Sequence, residues 1–443
     1  MNKYANNEVL DFASQIGRLL IRYGADTALT CELVQKVATY YGEKSYDIST
    51  LGNSFIITEA NKPEDVSCHE LKMTLIRRKE PNLNIVGKLT ELCRRIVQHE
   101  LSLEDARTQL EEIRQTLPTP LIWRILGAAL AGGTICGILG GNWGDLAATM
   151  ISVIFTFSFK YFLTEKMTPL FGTLLTTFFA TLVCMFSFHM GLGNTITSTR
   201  IVIACCLTLV PALDLINSLK DIYRGDYVCG LNQLAHFLIV VFVIFGGAVL
   251  MVNLLNVLVF DPTFTQPFTT DDSYSFGVMR KLFCAFLAPI GFSVLYSIPS
   301  QYLWSIGGIG LFAFLIQNFC GEVVSSLLTE MVNEGETTVL VNDSNMLCVS
   351  IFFALCFTYI LVAMFSKLHN SPTTTFFVGT VMTVIPGTQL FFAIYNATIQ
   401  KFELVSSNAS EACSILLAIA LSLLIGMELH KVMFNRHLHF ILR

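Results

Sequence analysis

The chain has 443 residues, of which 53% are hydrophobic and 14% are charged, and its formal net charge is −5. Soluble globular proteins carry about 25% charged residues, so this composition excludes a soluble protein of the same length. It also excludes a disordered chain, and the negative net charge argues against nucleic acid as a partner.

The charged residues are concentrated near the N-terminus. Residues 1–120 contain 32 of them, whereas residues 121–443 contain only 29. The first segment is therefore predicted to be a water-soluble domain, and the second to be embedded in lipid. The N-terminus lacks the apolar core of a signal peptide, so we expect the soluble domain to lie in the cytoplasm.

The N-terminal domain shows the sequence patterns of both helices and strands. Asp26 and Ser102 precede helical segments as N-caps, Gly24 ends the first helix, and Gly52-Asn53 is typical of a hairpin turn. The patterns predict a small α+β domain with helices at 8–23, 27–41, 82–98 and 102–115 and strands at 45–59 and 70–79.

Three adjacent residues of this domain, Cys68, His69 and Glu70, raise the alternative of a membrane-anchored hydrolase. No nucleophile motif, zinc-protease motif or paired-acid pattern accompanies them, so we predict that the protein is not an enzyme. The thirteen cysteines include no CxxC pair, and most lie in apolar runs. We therefore predict no disulfide framework, no metal site and no cofactor.

Ten segments after Pro120 are apolar enough to cross a bilayer, which takes about 20 residues each. Lys and Arg favour the loops on the side of the N-terminal domain by eight to four, which predicts that both termini are cytoplasmic. The segments are 121–141, 143–162, 169–190, 195–214, 231–259, 277–297, 302–320, 346–366, 375–398 and 411–430.

A short internal similarity divides these spans into five and five. Residues 210–215 read VPALDL in the fourth span, and residues 385–390 read IPGTQL in the ninth. Because five is odd, the second half must enter the membrane from the opposite side, as in the inverted repeats of secondary transporters. We thus predict a mainly α membrane protein of about ten transmembrane helices in two five-helix inverted repeats, preceded by the α+β domain. The predicted divisions are 1–120, 121–260, 277–430 and a tail at 431–443.

The prolines of these two stretches mark the predicted substrate site. Proline frees a backbone carbonyl in a membrane helix, and such breaks often frame a solute site, although a packing kink is the alternative. Asp214 is the predicted proton carrier, or else an interfacial acid. An amphipathic helix along the cytoplasmic interface is predicted within 215–230, followed by a turn at Gly225-Asp226. The predicted substrate-binding residues are Pro211, Asp214, Asn217, Pro386, Gly387, Thr388, Gln389 and Asn396.

Several motifs resemble those of the threonine/serine exporter family. They lie in order along nearly the whole chain, and the C-terminal half resembles a smaller partner that some members encode separately. The similar stretches are 17–20, 23–27, 91–97, 100–106, 209–217, 221, 225–227, 230–231, 298–299 and 384–387.

This resemblance implies export of threonine-like or serine-like amino acids across a bacterial inner membrane by a proton-coupled secondary mechanism. The implied partners are a small-molecule substrate, protons and the lipid bilayer, with an oligomer left open. Related two-chain members imply a dicarboxylate such as succinate as the alternative substrate. The third motif carries over to Pro211, Leu215, Asn217, Asp221 and Gly225, whereas Thr388-Gln389 and the acidic 321–345 loop depart from the family and leave the substrate open.

Overall fold

The three-dimensional structure is a computed structural model. It describes residues 6–42, 46–51, 54–59, 71–75, 80–116, 119–164, 166–189, 198–259, 276–333 and 343–441.

The N-terminal domain combines four helices with one small sheet. The sheet is antiparallel with strand order β1-β2-β3, and Leu51 of β1 pairs with Ser54 of β2, as expected for a hairpin at 52–53. The predicted helices and strands are confirmed, apart from small shifts of their ends. The elements are α1 (Asn6–Arg22), α2 (Thr27–Tyr41), β1 (Tyr46–Leu51), β2 (Ser54–Glu59), β3 (Leu71–Leu75), α3 (Leu83–Val97) and α4 (Leu103–Gln115). Cys68, His69 and Glu70 lie outside the described residues.

Local capping explains where these helices start and stop. The Asp26 carboxylate accepts a hydrogen bond of 2.8 Å from the Leu29 N–H, and the Ser102 hydroxyl accepts one of 3.2 Å from the Asp105 N–H. Gly24 ends α1 with φ of +99°, a left-handed conformation that side chains disfavour.

The rest of the described chain is helical. Eight helices are long and apolar enough to cross a membrane, and two further pairs of shorter helices, each bent at a break, bring the total to ten. A mainly α membrane protein is thus confirmed. The helices are α5 (Leu121–Ile138), α6 (Trp143–Thr164), α7 (Pro169–His189), α8 (Ser198–Leu207), α9 (Ala212–Tyr223), α10 (Tyr227–Val259), α11 (Phe276–Leu295), α12 (Leu303–Asn333), α13 (Asp343–Leu368), α14 (Thr373–Met382), α15 (Gly387–Thr398) and α16 (Phe402–Ile441).

Two helices extend beyond the predicted spans. The seventh candidate span ends at Val323, close to the predicted end at 320, and its helix α12 continues to Asn333. Hydropathy indicates the environment that a helix prefers, but not the residue at which the helix ends. The polar Asn318 does not interrupt α12, because its amide donates to the Phe314 carbonyl at 2.7 Å. The tenth span likewise starts earlier than predicted, at Phe402.

The first helices of the two halves, α5 and α11, pack closely against each other. A Cβ atom on Gly127 would lie 2.7 Å from Cβ of Val294, and one on Gly291 would lie 2.5 Å from the Ala131 nitrogen. Only glycine fits at these two positions, and small residues of this kind let membrane helices approach closely. This contact joins α5 of the first half directly to α11 of the second.

The two bent pairs have the same construction. In each, a helix of 10 residues is followed by a break and then by a helix of 12 residues. The starts of α8 and α14, at residues 198 and 373, are 175 positions apart, and the same offset separates α9 from α15 and α10 from α16. The correspondence runs through three consecutive helices in each half.

Candidate functional site

The two helix breaks have nearly the same backbone geometry. Pro211 has φ −82° and ψ 68°, and Pro386 has φ −75° and ψ 58°. At each break the N–H after the proline donates to the carbonyl before it, from Ala212 to Val210 at 3.0 Å and from Gly387 to Ile385 at 2.7 Å. Each proline is therefore the centre of an inverse γ-turn. The helices bend by 53° at the first break and by 46° at the second, so the predicted interruptions are real.

A threonine three residues before each proline closes the preceding helix. The Thr208 hydroxyl donates to the Cys205 carbonyl at 2.6 Å, and the Thr383 hydroxyl donates to the Thr380 carbonyl at 2.7 Å. Each of these carbonyls also accepts the backbone N–H of the same threonine at 3.2 Å, so the hydroxyl is a second donor to it near the break. Sequence analysis overlooked this Thr-x-x-Pro pattern, which is identical in the two spans.

The two breaks lie against each other in space. Leu207, the last residue of α8, packs on Gly387, the first residue of α15, and a Cβ atom on that glycine would lie 2.5 Å from Cδ2 of the leucine. Leu207, Pro386 and Gly387 are buried, whereas Pro211 is partly exposed. The fold thus brings the predicted break residues of both halves into one place.

One polar pair follows each break. Asp214 of α9 bonds to Nδ1 of His236 on α10, with an oxygen-to-nitrogen distance of 2.9 Å. Gln389 of α15 donates through Nε2 to Glu411 of α16 at 3.2 Å. Residue 389 is 175 positions after 214, and residue 411 is 175 positions after 236. The two pairs are therefore equivalent in position but differ in chemistry. Sequence analysis overlooked both partners, His236 and Glu411.

Both pairs lie at a similar depth along their helices. His236 is nine residues after the start of α10, and Glu411 is nine residues after the start of α16. A helix rises 1.5 Å per residue, so each partner lies about 14 Å from the start of its helix.

Two further bonds link the halves to each other with the same offset. The Tyr223 hydroxyl at the end of α9 donates to Glu428 of α16, and the Asn253 amide of α10 donates to Thr398 at the end of α15 at 3.1 Å. Thr398 is 175 positions after Tyr223, and Glu428 is 175 positions after Asn253. Each bent span is thus fastened to the last helix of the opposite half.

The remaining predicted residues occupy different surroundings. Asn217 donates through Nδ2 to the Gly24 carbonyl of the N-terminal domain at 3.1 Å. Thr388 donates to Oε1 of Gln389 at 2.6 Å, which orients that amide toward Glu411. Asn396 is buried near the end of α15. The structure therefore groups Asp214 with His236 and Thr388 with Gln389, and it turns Asn217 toward the N-terminal domain.

The polar face of α9 contacts protein rather than water, which corrects the predicted amphipathic helix at 215–230. The start of α2 covers this face: Asp26 lies 3.6 Å from both Lys220 and Arg224, and Thr27 donates to Asp221. Lys220 is 3% exposed and Asp221 is fully buried. An amphipathic pattern shows only that one face is polar, and here a second domain covers it. The helix ends at Tyr223 and α10 begins at Tyr227, so the predicted turn at Gly225-Asp226 is confirmed.

Two cysteines of the N-terminal domain have strongly perturbed thiols. Burial raises the pKa of Cys31 to about 12, with smaller contributions from Asp226 and Asp221, and burial alone accounts for a pKa of about 12 at Cys93. A thiol must ionise to act as a nucleophile, so neither side chain suits the hydrolase alternative. Among the described residues, no three His, Cys, Asp or Glu side chains converge as a possible metal site.

Comparison with known protein families gives two matches. Residues 11–255 match the family described as "Putative threonine/serine exporter", and residues 336–428 match that described as "Threonine/Serine exporter, ThrE".

Curated relatives match about half of the chain's length. One, described as a "probable succinate transporter subunit" of Escherichia coli, is 24% identical over 225 residues, covering 50% of this chain and 84% of that protein. The protein of the same description from Klebsiella aerogenes is 23% identical over 238 residues, covering 53% and 89%. A "threonine/serine exporter" of Corynebacterium glutamicum is 25% identical over 230 residues, covering 49% and 45%. No solved structure matches the chain.

Proposed function

Because the chain belongs to the threonine/serine exporter family, we propose that it exports small polar amino acids of the threonine and serine type. The export is proposed to cross a bacterial inner membrane and to be driven by protons. The observation that carries this proposal is the pair of matched helix breaks, each followed by a polar pair at a similar depth.

The substrate is proposed to bind between the two breaks. The first residues of α9 and α15 lie at helix N-termini, where unpaired N–H groups and the helix dipole favour a carboxylate. The last residues of α8 and α14 lie at helix C-termini, where carbonyl oxygens favour an ammonium group. A zwitterionic amino acid needs both kinds of group within a few ångströms, and two adjacent breaks supply both. The proposed binding residues are Pro211, Asp214, Asn217, Pro386, Gly387, Thr388, Gln389 and Asn396.

Asp214 and His236 are proposed to carry the coupled proton. The pair can hold one proton with no net charge, either as a carboxylic acid beside a neutral imidazole or as an ion pair. Losing that proton leaves one negative charge, which is costly inside a membrane. The Asp214 side chain is 19% exposed and that of His236 is 55% exposed, so the pair is accessible from outside the helix bundle. Release is therefore favoured only where the pair meets water.

The two halves are proposed to form inverted repeats around this site. An odd number of spans in each half makes α10 and α16 cross in opposite directions, so the two polar pairs are proposed to occupy equivalent positions of the two repeats. In this arrangement both termini and the 1–120 domain are cytoplasmic, with repeats at 121–260 and 277–430 and a tail at 431–443. Rocking of one repeat against the other would open the site to each side in turn.

A transport assay tests the proposal. The purified protein in proteoliposomes is expected to exchange labelled L-threonine and L-serine with saturation, and a proton gradient should drive net movement. Arms with alanine, succinate and fumarate identify the solute. Saturable exchange of succinate but not threonine would instead support the dicarboxylate alternative suggested by the name of the Escherichia coli relative. Absence of saturable exchange for every solute would refute the proposal.

A further inference from the structure

A cavity of about 600 Å³ lies between the N-terminal domain and the second half of the membrane region. One wall comes from α3 and α4, and the other from the turn before α12 and the connection between α13 and α14. Its volume is in the range of sites for small metabolites. It is distinct from the helix breaks, because neither proline nor any of the polar pairs lines it.

Gly87 leaves space in this cavity, although no neighbouring atom requires a glycine at that position. Gly87 lies in the interior of α3, where glycine is about 1 kcal/mol less favourable than alanine. No other atom lies within 4 Å of the position that its Cβ would take, so no neighbour requires a glycine there. Gly87 lines the cavity, and any side chain at this position would take up part of its volume.

The wall formed by α3 is positively charged. Lys88 and Arg95 are seven residues apart on this helix and both line the cavity, because residues two turns apart share a face. Arg95 is held in place by Glu100 at 3.0 Å and by Gln109 at 3.1 Å. Glu91 also lines the cavity as a carboxylate and accepts from Nε of Arg94 at 2.8 Å, so it is paired just as Arg95 is paired with Glu100. Lys88, whose Nζ donates among the described residues only to the Thr116 hydroxyl at 3.5 Å, is then the charge in excess. The balance favours an anion.

The opposite wall offers hydroxyl groups. Ser300, Ser371 and Thr375 line it, and the Thr375 hydroxyl is buried and has no hydrogen-bond partner among the described residues. That oxygen is shielded from the cavity, so Ser300 and Ser371 supply the hydroxyl groups that a solute reaches on this wall. Thr375 lies in the first turn of α14, the helix that leads to the break at Pro386.

We infer that this cavity is a second solute site, which binds a small carboxylate metabolite between α3 and α14 and is separate from the transport site. The carboxylate faces Lys88 and Arg95, and its polar groups reach the hydroxyls of the opposite wall. Occupancy ties the N-terminal domain to a helix that must move during transport, so the site regulates the rate. The regulatory role rests on the proposed function, whereas binding itself does not.

Equilibrium binding to the full-length protein in nanodiscs tests this inference, with radiolabelled succinate and L-threonine as separate probes. Gly87→Leu fills the cavity, and it is expected to fold because it improves helix propensity and meets open space. Binding of at least one probe should weaken by tenfold or more. Gly172→Leu is the matched control, since Gly172 of α7 also has no atom within 4 Å of its Cβ position but lies outside the cavity. This control should bind like the wild type.

A charge variant gives an independent second measurement. Lys88→Gln should weaken the same binding about tenfold, whereas Lys36→Gln, on the exposed face of α2, should not. Transport of L-threonine by Gly87→Leu at a saturating proton gradient and without added succinate should stay within twofold of the wild type, because regulation requires the site to be occupied. Unchanged binding of both probes in Gly87→Leu would overturn the inference, and so would joint loss of binding and transport. Absence of transport in every variant, with the binding differences intact, would refute the proposed function and leave this site standing.

Discussion

The first and second bent spans share a backbone but differ in their side chains. Both follow Thr-x-x-Pro, with the same helix lengths and the same γ-turn, yet Asp214 faces a histidine where its counterpart Gln389 faces an acid. The two spans therefore have the same backbone conformation but different polar side chains. This difference indicates that the helix break is the feature the two spans have in common. The polar pair is the part that each half has specialised.

A second difference concerns what covers the two helices after the breaks. On α9, Asn217, Lys220 and Asp221 contact the N-terminal domain, whereas the corresponding positions of α15 are Phe392, Tyr395 and Asn396. The N-terminal domain therefore makes the surroundings of α9 and α15 unlike. It contacts the half that carries the acid–histidine pair, so movement of α9 requires the domain to move with it or to release it.

The largest expected effect is on proton-driven transport, which should depend on one polar pair more than on the other. Asp214→Asn should reduce proton-driven transport roughly 100-fold, the size typical of losing an acid–base group, while proton-independent exchange persists. Glu411→Gln in the second half should reduce gradient-driven transport less, because we assign the proton to the first pair. Initial rates in proteoliposomes with and without a gradient provide the measurement, and Glu403→Gln at the exposed start of α16 is the control. If transport by Asp214→Asn remained fully driven by the proton gradient, Asp214 would not be the proton carrier.

The contact between the two breaks is expected to have the next largest effect. Gly387→Ala places a methyl group 2.5 Å from Leu207, which should reduce the free energy of unfolding by about 1–3 kcal/mol. Adding Leu207→Ala should recover part of the loss, because it removes the clashing atoms. Thermal unfolding of both single variants and the double variant measures the coupling, with Gly172→Ala as the control. Strictly additive effects would show that the two residues do not touch.

Removing the threonine caps compares the two breaks directly. Thr208→Val and Thr383→Val keep the side-chain shape but leave one carbonyl without its extra donor, so each should reduce the free energy of unfolding by about 1 kcal/mol. We expect the two variants to lose similar amounts of unfolding free energy, which unfolding in detergent measures. A loss in one half alone would mean that the two breaks are not equivalent.

The smallest effects are expected from the bonds that fasten each bent span to the opposite half. Tyr223→Phe and Thr398→Val each remove one interhelical hydrogen bond, and such bonds contribute about 0.6 kcal/mol in membrane proteins. Their effect should be clearer in transport rate than in stability, because the ends of α9 and α15 must move as the site opens. Rates unchanged in both variants would argue that these ends stay fixed.

Much of this architecture was predictable from sequence, since it depends on local signals. Pro211 and Pro386 interrupt apolar segments, and Asp26 and Ser102 start helices. Each of these residues determines the backbone structure at its own position, so its effect can be predicted from the local sequence. The partners His236 and Glu411 were overlooked because a bond between two helices depends on their register. The covered face of α9 was also misjudged, since periodicity cannot tell water from a second domain. The constant offset of 175 residues would have revealed the partners.

The central claim is that the two matched spans are inverted in the membrane, and side-specific thiol labelling tests it most directly. Tyr227→Cys and Phe402→Cys lie at the starts of α10 and α16, 175 positions apart. Both residues are exposed, and labelling is measured above the background of the parent protein. A membrane-impermeant maleimide should label position 227 only from the cytoplasmic side and position 402 only from the outer side. Labelling of both positions from the same side would contradict the inverted arrangement and the single transport site built on it.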